Sequence, residues 1–346
     1  MKAGRLPGLD GLRAVAIALA VLRHIQLNRV AQGTLVTRML ELDLGNLGVR
    51  IFFVLSGFLI TTLLLSEHEA TGRISLPRFY LRRSLRIMPA YYAFLAAMAG
   101  GAVLGLVPVT PRGLPLSALY ASNYFGLGTI GWTLAHTWSL SVEEQFYLLW
   151  PGALVLAGAR RGFLVAAVIL AVSPVFRVLA THGAWHSHWR TAFECVADAL
   201  ATGCLLAYLR GAMWAWTPYR DFLSSRAIVL LPVLVLELSF MDGRSTTFAA
   251  VAGISLLNVS VAVIVDWVLH FPAGHIGRAL NWRPIAFVGT LSYSLYLWQQ
   301  PFLSSQGSLP VIASLGLIGG AALLSYFVIE RPALRLRTVV EGRRAW

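Results

Sequence analysis

The sequence contains few charged residues for its length and a single lysine, Lys2. Charged side chains make up 12% of the 346 residues, whereas soluble domains usually carry about a quarter. Apolar residues make up 57%, and the mean hydropathy is +0.70. One large buried core does not explain this, because apolar runs recur along the chain and many approach the roughly 20 residues that cross a bilayer. The composition therefore indicates an integral membrane protein.

The apolar runs lack the alternation of apolar and polar residues that strands of a membrane barrel show. They are therefore expected to be helices, in which the backbone polar groups are satisfied within lipid. We predict an all-α, polytopic bundle of about ten membrane-spanning helices, forming one domain over residues 1–346. The spans are expected near residues 12–28, 44–66, 89–107, 138–158, 162–180, 192–209, 227–240, 246–270, 284–304 and 310–329, with long loops at 67–88 and 107–137.

Basic residues outnumber acidic ones by 28 to 15, but their arrangement argues against nucleic-acid binding. The arginines punctuate the apolar runs and form no dense local patch. Membrane proteins carry such an excess on cytoplasmic loops. With both termini in the cytoplasm of a bacterial cell, nineteen of the 28 lie inside, and Arg13 and Arg23 lie within the first span. The seven outside are Arg29, Arg38, Arg50, Arg112, Arg177, Arg190 and Arg244.

Cysteine is also scarce, and its spacing excludes a disulfide. Cys195 and Cys204 lie on one predicted helix, about 13 Å apart along its axis, whereas a disulfide needs Cα atoms within about 7 Å. They are expected to be packing residues. The N-terminal apolar run lacks a small-residue cleavage site and contains an Arg–His pair, so we expect it to be a retained helix.

The first predicted helix carries two ionisable side chains, which are costly in a membrane and usually functional there. Arg13 and His24 are about 20° from three full turns apart, so they share a face and are separated by about 16 Å. Snorkelling of both side chains to the headgroups is the alternative. Because histidine is well suited to take a proton from a hydroxyl near neutral pH, His24 is a candidate general base.

Three arginines precede Pro89 in the segment RRSLRIMPAYY, and they would face the cytoplasm. Arg82, Arg83 and Arg86 lie within about one helical turn. Guanidinium groups bind phosphate oxygens in a two-pronged geometry, and coenzyme A, which is made in the cytoplasm, carries a diphosphate and a ribose phosphate. The cluster is a candidate site for an acyl-CoA donor. An ordinary positively charged helix anchor is the alternative.

The segment HTWSLSVEEQFYLLWP places two carboxylates at the outer entrance of the fourth span. A carboxylate at this depth can hold a histidine in one tautomer, as the orienting member of a base–orienter pair does. Glu143 and His24 lie on the outer halves of their predicted helices, so we predict that Glu143 orients His24. A solvated interfacial turn is the alternative, and it applies better to Glu144.

Two further sets of polar residues lie near or within later spans. Glu194 and Asp198 are one turn apart and predict a polar lining of the sixth span, with Arg190 above them. Glu330 is expected to end and anchor the last helix before Pro332. A His-rich outer loop follows the fifth span, but no Cys or carboxylate lies at ligand spacing, so no metal is predicted. Its histidines are His182, His186 and His188.

Taken together, these segments resemble the acyltransferase 3 family of integral membrane acyltransferases. The matching segments occur in the family's order and extend from one end of the chain to the other. They are GLDGLRAVAIALAVLRH (8–24), GVRIFFVLSGFLI (48–60), RRSLRIMPAYY (82–92), TWSLSVEEQFYLLWP (137–151), LSYSLYLWQQP (291–301) and IERP (329–332). The SGNH esterase-like extension that some members carry is not among them.

The resemblance implies transfer of an acyl group, expected to be acetyl, from acyl-CoA to a hydroxyl of a carbohydrate, a lipid-linked glycan or a small natural product. No metal is predicted, and membrane lipids are expected to surround the enzyme. His24 is then the base of an Arg-x10-His motif that begins at Arg13, and Arg83 and Arg86 bind the donor. The Ser-x-Glu-x-Gln-Phe-Tyr motif falls on residues 141–147.

The chain departs from the family pattern at two positions that bear on the acceptor. Gln299 stands where many members have a histidine, and Val196 stands two residues before Asp198, where relatives often carry an arginine. We predict Tyr147, Asp198 and Gln299 as substrate contacts. The alternative function is a transporter or flippase of an acylated or anionic substrate, although no inverted repeat or pair of Gly/Pro-broken helices supports it.

Overall fold

The structure, a computed structural model, describes residues 6–29, 43–183, 188–303 and 309–336. In these ranges the chain forms helices joined by turns, without a strand, so the predicted all-α fold is confirmed. The helices are α1 (Leu9–Arg29), α2 (Leu44–Thr71), α3 (Leu76–Val103), α4 (Gly113–Ala118), α5 (Leu127–Ile130), α6 (Thr137–Ala157), α7 (Gly162–His182), α8 (Phe193–Ala215), α9 (Thr217–Ser224), α10 (Leu230–Arg244), α11 (Thr246–His270), α12 (His275–Leu280), α13 (Arg283–Thr290), α14 (Ser292–Phe302) and α15 (Val311–Leu336).

Five of these helices are long and apolar enough to cross a membrane, namely α2, α7, α8, α11 and α15. A sixth candidate is the pair 217–224 and 226–241, which bends by 70°. Helices also occupy the other predicted positions. However, charged or polar side chains interrupt the apolar sequence of α1, α3 and α6. The ninth predicted span divides at Leu291 into α13 and α14.

The first compact unit consists of residues 1–26, 30–74 and 153–290. Its core joins apolar side chains of α1, α2, α8, α10 and α11, among them Leu12, Val54, Leu206, Leu238 and Val261. The most extensive packing in this unit is between α2 and α8, where two glycines oppose backbone. A Cβ at Gly57 would overlap the carbonyl oxygen of Leu200, and one at Gly203 would overlap that of Val54. Small residues are what allow membrane helices to approach this closely.

We expect Gly57→Ala to destabilise the protein, because the added methyl group meets backbone atoms that cannot rotate away. Overpacking of this kind costs about 1–3 kcal/mol. The matched control is Gly319→Ala, since Gly319 in α15 has open space where its Cβ would be. Thermal unfolding in detergent measures both. Equal melting temperatures for the two variants would show that α2 and α8 do not pack through Gly57.

The second compact unit consists of residues 27–29, 75–152 and 291–346. In it α14 packs along α15, and α3 contacts both. The segment between α3 and α6, which was predicted to be a long loop, contains short helices: α4, α5 and the 3-10 turns Ser122–Tyr124 and Trp132–Leu134. Gln300 of α14 ties this segment down, because its amide nitrogen donates to the Trp132 carbonyl at 2.6 Å.

Two predicted boundaries are wrong. The long internal loop at 67–88 does not exist, since α2 runs to Thr71 and α3 begins at Leu76. Gly72, with φ of +72°, ends α2, and a proline in the first turn starts α3. The last helix does not end at Glu330 either. It passes through the wider π turn Tyr326–Glu330, which accommodates Pro332, and continues to Leu336.

The two cysteines are free and buried, which confirms that they are packing residues. The assignment of two arginines to the outer loops is wrong, because both side chains are buried within helices. Arg50 of α2 is 1% exposed and donates to Asn258 of α11 at 3.3 Å. Arg177 lies in α7 and is fully buried.

Candidate active site

The Arg13 and His24 side chains lie on one uninterrupted helix, as predicted. Arg13 Nη1 is 3.0 Å from Asp10 Oδ1, one turn toward the start of α1, so the guanidinium is held at that end. His24 is half-buried and lies eleven residues further on. Regular helix geometry over this distance gives a separation of about 16 Å on nearly the same face. α1 therefore presents a cation and an imidazole along one stripe.

A cleft of about 490 Å³ opens beside the start of α1 in the first unit. Asp10, the partner of Arg13, forms part of its wall, and Arg283 and Phe287 of α13 form another part. The cleft thus combines a carboxylate, a guanidinium and an aromatic ring. The residues that line it are Leu6, Pro7, Gly8, Asp10, Asn281, Arg283, Ala286, Phe287 and Thr290.

The three predicted donor-binding arginines lie in the first half of α3 and not in the predicted loop 67–88. Arg82 and Arg83 are half-buried, and Arg86 is exposed. The guanidinium carbon of Arg83 is 5.0 Å from the centroid of the Tyr147 ring, a cation–π contact. Arg83 also acts electrostatically on Glu144. The fold thus brings Arg83 and Tyr147, two predicted site residues, into contact in the second unit.

The first half of α6 is fixed by two motif residues that bond to the preceding segment. The Ser141 hydroxyl is 2.9 Å from that of Ser122. The amide nitrogen of Gln145 donates to the Tyr120 carbonyl at 2.9 Å and to the Asn123 side chain at 3.0 Å. The sequence did not predict Tyr120, Ser122 or Asn123, and the only signal for them was their polarity in an apolar chain.

Glu143 and Glu144 lie inside α6, and both are half-buried. The proposed solvated turn for Glu144 is therefore wrong, because the Glu144 Oε1 atom is shielded from solvent. The predicted pairing of Glu143 with His24 stays a prediction. So does the role of Gln299, whose side chain is fully buried in α14.

Asp198 forms a fully buried ion pair with Arg177 that the sequence did not predict. Arg177 Nη1 lies 2.8 Å from Asp198 Oδ2, and both side chains are 0% exposed. Ser255 of α11 donates to the same carboxylate oxygen at 2.7 Å and accepts from Arg177 Nη2 at 2.7 Å. The carbonyls of Cys195 and Ala250 accept the remaining Arg177 bonds. This network gives Asp198 a structural role, and substrate binding by Asp198 remains a prediction.

A second buried carboxylate, Asp266 of α11, also escaped the sequence prediction. Arg210 Nε lies 2.8 Å from its Oδ1, and the Tyr219 hydroxyl donates to its Oδ2 at 2.9 Å. His270 Nδ1 lies 3.3 Å from Oδ1, and its ring stacks on Trp214 at 3.8 Å. The network ties α8, α9 and α11 together at one end of the first unit.

Among the residues that the structure describes, no group of three His, Cys, Asp or Glu side chains is arranged to hold a metal ion. Of the three histidines singled out for their spacing, His186 lies outside the described residues. His182 is exposed and its Nδ1 is 2.9 Å from the carbonyl oxygen of Val178.

Comparison with known proteins places the chain among membrane acyltransferases. A family model described as an acyltransferase domain matches residues 6–328. The chain is 30% identical to YrhL of Bacillus subtilis, whose name proposes a peptidoglycan O-acetyltransferase, over 86% of this chain and 48% of that protein. It is 29% identical to the O-acetyltransferase OatA of Staphylococcus aureus over 94% of this chain and 57% of OatA. The chain thus spans about half the length of these curated relatives. No solved structure matches it.

Proposed function

Because this chain belongs to the acyltransferase 3 family, we propose that it transfers an acyl group, in the first instance acetyl, from acyl-CoA to a hydroxyl. The family match and the names of the relatives support O-acyl transfer. A carbohydrate is the proposed acceptor class, and the name of YrhL makes peptidoglycan the first acceptor to test. Lipid-linked glycans and small natural products are the other candidates.

The observation that carries the donor half of the proposal is the placement of Arg82 and Arg83. Both are half-buried on α3, and Arg83 is held over the Tyr147 ring. Guanidinium groups bind phosphate oxygens through paired charge-assisted hydrogen bonds, so two half-buried arginines on one helix suit the diphosphate of coenzyme A. Arg86, exposed one turn later, would reach a further phosphate oxygen.

For the chemical step we propose His24 as general base. The acceptor hydroxyl gives its proton to His24 while its oxygen attacks the thioester carbonyl, the C–S bond breaks, and coenzyme A leaves as the thiol after taking up a proton. In the second route His24 takes the acyl group first and then passes it to the hydroxyl. Arg13, on the same face of α1, is proposed to lie on the path of the donor, and Glu143 is proposed to orient the imidazole.

We further propose that the chain crosses a bacterial cytoplasmic membrane about ten times, with both termini in the cytoplasm. Arg50 and Arg177 were counted among the seven outer-loop arginines, but both are buried within helices. The number of arginines counted on the outside therefore falls to five, and the larger excess on the inside supports this orientation. The arginines at the start of α3 would then meet a donor made in the cytoplasm. Reporter fusions after α2 and after α7 test the orientation.

Arg83→Gln should raise the KM for acetyl-CoA about tenfold and change kcat little, because the variant loses a charge-assisted contact to a phosphate. Arg78→Gln is the matched control, since Arg78 is an exposed arginine on the same helix. Initial rates at varied acetyl-CoA concentration measure both. An unchanged KM for Arg83→Gln would remove α3 from the donor site.

The proposed function is tested with purified protein in detergent, radiolabelled acetyl-CoA and soluble peptidoglycan fragments. We expect loss of the thioester and appearance of label in the glycan. A transporter or flippase would cause neither, so an inactive but folded preparation would favour that alternative.

A further inference from the structure

Two side-chain oxygens between residue 104 and the end of α6 are buried and have no hydrogen-bond partner in the part of the chain that the structure describes. They are Tyr120 Oη and Glu144 Oε1. Buried polar groups are almost always hydrogen-bonded, so an unsatisfied pair in one region calls for an explanation. A ligand that supplies the missing hydrogen bonds is one such explanation.

The two oxygens have complementary chemistry. Burial, and then the nearby Glu144 charge, raise the pKa of the Tyr120 phenol well above its usual value, so it keeps its proton and can donate. Glu144 Oε1 can accept a hydrogen bond, and Arg83 acts electrostatically on the same carboxyl group. Gln145, which follows Glu144 in α6, donates to the Tyr120 carbonyl, so the two residues are neighbours, yet no hydrogen bond joins their side chains. A donor and an acceptor placed in this way suit a third group that contacts both.

Tyr120 is held in place by its surroundings. Its φ of +51° lies in the left-handed region that side-chain-bearing residues rarely adopt. Its carbonyl accepts from Gln145, its amide donates to the Ser117 carbonyl at 2.9 Å, and its ring stacks on Tyr91 with centroids 4.6 Å apart. Strain of this kind persists when the neighbouring contacts fix the residue, and it is concentrated at binding sites.

We propose that Tyr120 and Glu144 bind one hydroxyl group of the acceptor, a neutral polyhydroxylated molecule. That hydroxyl donates to Glu144 Oε1 and accepts from Tyr120 Oη, which satisfies both buried atoms. An alcohol fits because it is donor and acceptor at once, whereas an ionised phosphate or carboxylate has no proton to donate to Glu144 Oε1. The inference rests on the proposed function and adds the residues that recognise the acceptor.

The test measures acceptor and donor kinetics of Tyr120→Phe, Glu144→Gln and the double variant. The control is Tyr92→Phe, because Tyr92 is an exposed neighbour whose hydroxyl donates to the Ala118 carbonyl at 3.0 Å. The probes are soluble peptidoglycan fragments and glycerol as acceptors, with radiolabelled acetyl-CoA as donor. Acyl transfer, acetyl-CoA hydrolysis without acceptor, and the melting temperature are recorded for each protein.

Each single variant should raise the acceptor KM roughly tenfold, the loss expected for one hydrogen bond to a charged or buried partner. The KM for acetyl-CoA and the hydrolysis rate should not change, and the melting temperature should not fall. Because both residues bind the same hydroxyl, the double variant should lose less than the product of the two single losses. Tyr92→Phe should behave as the wild type.

Three outcomes would overturn the inference. Lower melting temperatures with an unchanged acceptor KM would indicate that a bridging water occupies the position. Equal losses of hydrolysis and transfer would indicate a role outside acceptor binding. Thioester cleavage by the wild type without transfer to either probe would remove the polyol acceptor and leave the donor half of the function standing. A wild type that does not cleave acetyl-CoA at all would instead contradict the proposed function.

Discussion

Replacing His24 with alanine should lower acyl transfer by about 10²–10⁴-fold, the usual contribution of a general base, while the protein remains folded. The expectation follows from its position on α1, where it is half-buried on nearly the same face as Arg13. His24 is the single histidine of α1, and imidazole is the side chain best suited to take a proton from a hydroxyl near neutral pH. The measurement is transfer of radiolabel from acetyl-CoA, with insertion and thermal unfolding checked on the same preparation.

The control for this prediction is His182→Ala, since His182 is an exposed histidine at the end of α7. Its activity should equal that of the wild type. If His24→Ala retains full transfer, His24 is not the base. Pre-steady-state release of coenzyme A thiol also separates the two routes, because only acylation of His24 allows a burst of thiol before the acceptor ester forms.

Asp198→Ala should destabilise the protein by about 3–5 kcal/mol, because it leaves the Arg177 guanidinium charged and buried without its carboxylate. The double variant with Arg177→Met and Asp198→Leu should recover most of the loss, since both charges are removed together. Asp10→Ala provides the comparison with a partly exposed pair, for which the cost should be about 0–1 kcal/mol. Denaturation in detergent measures the free energy of unfolding of Asp198→Ala, of the double variant and of Asp10→Ala.

A single Asp198 variant that is no less stable than the double variant would contradict the buried ion pair. The same series bears on the predicted substrate role of Asp198. If Asp198 acts only through the pair, the stable double variant should keep a normal acceptor KM. A raised acceptor KM in the folded double variant would support the prediction that Asp198 contacts the substrate.

Apolar periodicity was enough to predict the helices and the common face of Arg13 and His24, because both depend on local sequence. It failed at the start of α3, where arginines lower the hydropathy and an amphipathic helix then resembles a loop. Assigning every arginine outside the first span to a loop also gave the wrong position for Arg177. Its place in the middle of an apolar run was a signal that it lies inside a helix. The charge needed a partner, and that partner, Asp198, lies on another helix.

The contacts around Tyr120 could not be predicted for a different reason. Its left-handed backbone and its buried hydroxyl depend on Gln145 and Tyr91, which are distant in sequence. Nothing local to residues 119–124 favours that conformation. Long-range packing also decided that Glu144 would be shielded within α6 and not solvated. The family motif identified α6 as important, and only the fold showed which of its oxygens lack partners.

The most direct test of the account is acyl transfer by the purified chain, with acetyl-CoA as donor and a hydroxyl compound as acceptor. The account predicts that wild-type protein releases coenzyme A thiol and forms an O-acetyl ester in equal amounts, and that folded His24→Ala protein forms neither at a comparable rate. Folded wild-type protein that leaves acetyl-CoA intact with every acceptor offered would contradict the account.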